Sequence, residues 1–136
     1  MFLPGSYSGD FLRISGKVSD PAFWRWGEDN MFPRALALMS RRSTVHRRIL
    51  NDKADYVCGK GFMLEEGLKK ASAIVERANG AGESLRTVMR KIAFDKLLFG
   101  NAFAEIVTDE KSSFISVYHQ DASRCRITRD KTHVIL

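Results

Sequence analysis

Residues 84–107, SLRTVMRKIAFDKLLFGNAFAEIV, constrain this chain more than any other stretch. They read as a capped helix, a glycine stop and a strand. Ser84 suits the N-cap, because its hydroxyl can accept from an otherwise orphan amide in the first turn. Leu85, Val88, Met89, Ile92 and Phe99 recur on one side at helical spacing, and Phe94 and Leu98 form a second apolar side. A helix apolar on two sides packs between layers rather than on a surface. Lys96 falls on the apolar side and is expected to snorkel to the helix end. Its alternative is a buried pair with Glu105. Gly100 offers the left-handed residue that stops the helix. Residues 102–107 then alternate as a strand, with Phe103 and Glu105 opposite Ala104 and Ile106.

The segments on either side extend this pattern. Residues 1–30 read as an extended lead, with a short strand at 11–18 and a loop carrying Trp24 and Trp26. The area of those two rings suits either burial across a core or contact with a neighbouring subunit. Residues 31–100 are mainly helical. Asn30 is expected to cap a first helix containing Pro33 near its start, and Ser43 a second one over residues 44–58, the alternative being one continuous helix with a kink. On that second helix Val45, Ile49, Tyr56 and Val57 are expected inward with Lys53 near the edge, and Thr44, Arg47, Arg48, Asn51 and Asp55 outward. A third helix is expected near residues 67–79, placing Leu68, Ala71, Ile74, Val75 and Ala78 inward. Residues 101–136 read as an antiparallel β-meander with strands near 102–107, 114–118, 124–128 and 132–136. The fold class is α+β within one domain spanning 1–136. The apolar finish at 133–136 predicts that the natural fold continues past Leu136.

Charge is distributed unevenly. The net charge is +6, and residues 34–60 concentrate it: Arg34, Arg41, Arg42, Arg47, Arg48, Lys53 and Lys60 face only Asp52 and Asp55. Such a block suits nucleic acid, an acidic partner or a solvated helix face. No apolar run approaches the ~18 residues of a membrane span, so no membrane partner is expected. Cys58 and Cys125 are too few for a disulfide framework.

The chain offers little for catalysis. The glycines of 58–61, CGKG, follow a helix instead of opening one, and no Ser or Thr comes after Lys60, so a phosphate loop is not supported. His119, Cys125 and His133 match no paired metal-ligand spacing. His46 and Cys58 lie about 18 Å apart along one helix, beyond the reach of a nucleophile and its base. No catalytic residue, cofactor or metal is expected.

Several stretches, taken in order, resemble bacteriophage portal proteins. Residues 26–33, WGEDNMFP, look like that family's aromatic–Gly–x–x–Asn–x–aromatic–Pro approach to its first helix. Residues 43–62, ending ADYVCGKGF, resemble its next segment. Residues 92–103, IAFDKLLFGNAF, look like its helix-to-strand passage, and residues 117–126 like the strand pair that follows. The likeness covers about residues 22–136 and is nearest to portals of tailed phages or prophages of Bacteroides-type bacteria. It implies an N-terminal, wing-region fragment of a non-enzymatic structural protein. Portals form a dodecameric ring at one capsid vertex, through which double-stranded DNA is packaged and ejected, with capsid and terminase proteins as partners. The implied location is the virion or the host bacterial cytoplasm. The stem, clip and channel-lining elements have no counterpart before Leu136. Under this reading Trp24 and Trp26 are subunit-interface candidates, and Arg34, Arg41, Arg42, Arg47 and Arg48 are subunit or nucleic-acid contacts. The alternative is a small basic nucleic-acid-binding module of prophage origin.

Overall fold

A computed structural model describes residues 23–27, 29–65, 69–109, 114–129 and 134–135. The expected strand at 11–18 lies outside them, as do Leu68 and His133. Their order is α1 (Phe32–Arg42), α2 (Thr44–Cys58), α3 (Lys69–Glu76), α4 (Leu85–Phe99), β1 (Phe103–Asp109), β2 (Phe114–Gln120), β3 (Arg126–Ile127) and β4 (Val134–Ile135). The chain is therefore α+β.

The central helix forms as its sequence dictates. The Ser84 hydroxyl accepts from the Thr87 N–H at 3.2 Å, satisfying one first-turn amide. Gly100, at φ 75°, takes the left-handed stop, where a side chain would be strained. Lys96 leaves the apolar side and donates its ammonium to the Gly100 carbonyl at 2.7 Å, which also suits the negative end of the helix. Glu105 is engaged elsewhere, by the Gln120 amide at 2.6 Å.

Helix α2 lies against α4 with the opposite face to the one its apolar residues predict. Leu50 and Ala54 are buried, whereas Val45, Ile49, Tyr56 and Val57 are 69%, 47%, 89% and 68% exposed. The polar row decides this orientation. Arg90 of α4 forks onto Asp55 at 2.5 and 3.0 Å and reaches Asn51 at 3.2 Å. Arg47 lies over the Phe94 ring, 5.8 Å from its centroid. Turning α2 inside out would break that charge-assisted fork and take Leu50 and Ala54 out of the core.

Ser43 separates α1 from α2 and caps the second, accepting from the His46 N–H at 3.3 Å. Pro33 sits in the first turn of α1, where its missing N–H leaves no bond unmade. The N-cap of α1 is Met31, not Asn30. Asn30 instead adopts φ 61° and turns its side-chain oxygen to the Trp26 N–H at 3.2 Å and the Arg126 guanidinium at 2.6 Å. An asparagine tolerates this left-handed backbone better than most residues, and the two bonds hold it there.

The turn between α3 and α4 is organised by Asn79, which is almost fully buried. Its oxygen accepts from the Ala81 and Glu83 amides, and its nitrogen donates to the Val117 carbonyl at 3.2 Å. The Val117 N–H returns a bond to the Ala78 carbonyl at 2.7 Å, so the β1–β2 hairpin is tied to this turn. The hairpin is antiparallel and in register from Phe103↔Gln120 to Asp109↔Phe114. Its alternation does not sort residues into inner and outer faces: Ala104 to Thr108 are all exposed.

Among the described residues the strands form two separate two-stranded sheets, β1–β2 and β3–β4, in place of one continuous meander. The tight turn at 121–124 intervenes, with Asp121 accepting from the Ser123 amide and hydroxyl. It carries Ala122 and Cys125 into the core beside Leu50, Ala54, Ala78, Val88 and Phe99. Phe23 and Thr128 form an antiparallel bridge, and the Trp24 N–H donates to the Ile127 carbonyl at 3.0 Å.

Candidate functional site

A cleft of about 470 Å³ opens where α1, α2 and α4 meet the β2–β3 turn. Arg41 from the last turn of α1, Arg47 and Asn51 from α2, and Arg90 and Lys91 from α4 line it. Phe94, Leu98 and Phe99 supply an apolar wall, and Asp95, His119 and Asp121 close the far side. The carboxylates there are already engaged. Asp95 sits 2.8 Å from His119 Nε2 and accepts the Ala122 N–H at 2.9 Å, while Asp121 holds its own turn.

The cations differ from one another. Arg90 is committed to Asp55 and Asn51, and Lys91 to Glu83. The Arg90 hydrogen bonds hold the Asp55 carboxyl below its ordinary value of 3.8, with Coulombic attraction adding to them. Lys91, and after it Asn79, hold Glu83 below 4.5. Arg41 and Arg47 have no carboxylate partner among the described residues.

The five arginines singled out in the sequence thus divide. Arg41 and Arg47 meet at the cleft, whereas Arg34, Arg42 and Arg48 are exposed and do not line it. Arg48 pairs with Asp52 at 3.2 Å on the open surface. Trp24 is 44% exposed, with the Arg129 guanidinium 5.7 Å from its ring centroid, and Trp26 is half-buried behind Asn30. The loop therefore leans on β3, and only Trp24 offers much surface to a partner.

Of the charged cleft residues, the sequence alone did not single out Arg90, Lys91, Asp95 or Asp121, and it presented His119 only as a metal-ligand candidate. Asp95 had a signal, since Val88, Ile92, Asp95 and Phe99 fall on one helical row and a carboxylate there must be buried with partners. His119 is one of those partners. The CGKG loop makes no phosphate cradle: the Gly59 carbonyl accepts from Arg86 at 3.0 Å.

A second surface lies on the outer side of α2, where Val45, Ile49 and Tyr56 align at helical spacing. Val57 flanks them, and Phe62, Met63 and Leu64, which follow the helix in sequence, are exposed as well. Among the described residues no three His, Cys, Asp or Glu side chains gather closely enough to hold a metal, and no helix is long and apolar enough to cross a membrane. No protein-family model, curated protein or solved structure matches this chain.

Proposed function

We propose that this chain is a structural, assembly-type protein of the phage portal kind, acting through contacts with copies of itself and with other virion proteins, not through catalysis. The outward apolar face of α2 carries this reading. Tyr56, 89% exposed, and Val45, Ile49 and Val57 of the same helix are left in water, while Leu50 and Ala54 take the buried face. Exposed apolar side chains gathered on one helix face, here with the Arg48–Asp52 pair among them, mark an interaction surface. The exposed strand β1, with Ile106 and Val107 outward, offers unpaired backbone groups to the same end. The ordered likeness of residues 26–33, 43–62, 92–103 and 117–126 to portal proteins supports a ring subunit over other assemblies.

The test is the oligomeric state of the chain by native mass spectrometry and sedimentation, compared with an Ile49→Ser/Tyr56→Ser double variant. Association that the variant loses while keeping its helical signal and unfolding midpoint supports the reading. A monomeric parent chain, or a variant that associates equally, overturns it.

A further inference from the structure

We infer that the cleft between α1, α2 and α4 is a binding site for the phosphate ester of a nucleotide unit, with Arg41 and Arg47 as its two phosphate ligands. Arg41 and Arg47 flank Ser43, face one cleft and lack a carboxylate partner among the described residues. Arg47 stands in the first turn of α2, which holds no acidic residue, so its charge opposes the helix dipole. Two guanidinium groups lining one cleft set up a local positive field that favours an anion there. A phosphate, which accepts from planar guanidinium forks, is the matching chemistry.

The cleft also selects the remainder of the ligand. Arg47 is steadied by stacking on Phe94, which leaves its N–H edge free to donate. Phe94 and Leu98 continue the wall beside it. Inorganic phosphate would leave that wall wet, whereas a base laid against it is covered on one face. A volume of about 470 Å³ falls in the range of small-ligand sites and exceeds what a bare anion fills. Asp95 and Asp121 lie on the far side of the cleft, where each is held by one oxygen, Asp95 Oδ2 by His119 and the Ala122 amide and Asp121 Oδ1 by Ser123, so the anion is placed at the Arg41–Arg47 side. This inference holds whether or not the chain assembles.

The experiment is calorimetric titration of the chain with a nucleoside monophosphate, a short single-stranded oligonucleotide and inorganic phosphate. At least one of the first two binds, more tightly than inorganic phosphate and less tightly as salt rises. Arg41→Gln and Arg47→Gln each weaken that binding by about tenfold or more. Arg42→Gln and Arg48→Gln, outside the cleft, leave it unchanged. All four keep the parent's circular dichroism, since glutamine is a comparable helix former. Binding of the monophosphate identifies a free nucleotide as the source; binding of the oligonucleotide alone identifies a strand. Three results overturn the inference: no binding of either probe, inorganic phosphate binding as tightly as both, or equal losses in all four variants.

Discussion

His119 Nε2 lies 2.8 Å from Asp95 Oδ2, a bond that joins the return strand of the hairpin to the buried row of the central helix. The same carboxylate takes the Ala122 amide at 2.9 Å. One side chain thus holds strand β2, the 121–124 turn and helix α4 in a single arrangement, and sets the far side of the cleft.

Asp95→Ala leaves the buried Ala122 amide without an acceptor and is expected to cost about 1–3 kcal/mol in urea unfolding. Asp52→Ala, which breaks the exposed pair with Arg48, is expected to cost less than about 0.5 kcal/mol. Equal losses would mean that Asp95 does not tie these elements together.

Acid should loosen the fold in a defined window. Asp55 and Glu83 both titrate lower in the folded chain than their ordinary 3.8 and 4.5. Their contribution is therefore complete above those values and lost as the pH falls through them toward the folded values. The unfolding midpoint should stay flat from neutral pH to about 5 and drop below it. Asp55→Asn and Glu83→Gln each flatten that drop while lowering the neutral-pH midpoint. A limb unchanged in both variants would locate the acid-sensitive groups elsewhere.

The two cysteines should separate by reactivity. Cys58 is half-buried, whereas Cys125 is fully enclosed, and burial pushes its thiol up. A maleimide at neutral pH should modify Cys58 first, with Cys125 slower by about tenfold or more until denaturant is added. Peptide mass spectrometry over time resolves the two. Equal rates in the native chain would contradict the enclosed position of Cys125.

Local chemistry made the helices legible. Ser43, Ser84, Pro33 and Gly100 act through the amides and backbone angles of their own turns, so their roles could be read from neighbouring residues. The orientation of α2 could not be read this way. Its apolar and polar rows compete evenly, and the group that decides between them, Arg90, lies 35 residues from Asp55. Asn30 misled for the same reason: its position suits a cap, but Arg126, 96 residues away, claims its oxygen. Of the cleft, Arg41 and Arg47 stood out within a basic block, but nothing local distinguished them from Arg34, Arg42 and Arg48. Asp95 shares the spacing of Val88, Ile92 and Phe99, but its partners, His119 and the Ala122 amide, lie 24 and 27 residues away, where no local pattern reaches.

The bonds from Asn30 to Arg126 and from Trp24 to Ile127 also bear on the order in which the chain folds. Closing so long a loop costs little more entropy than closing a moderate one, but nothing repays that cost until both partners are shaped. Helices α2 and α4 and the β1–β2 hairpin can form from nearer contacts, leaving the front loop to latch onto β3 last and to release first. Both tryptophans sit on that latch. Their fluorescence will therefore time the closing of a clasp, while far-ultraviolet dichroism times the helices, giving two clocks within one small chain.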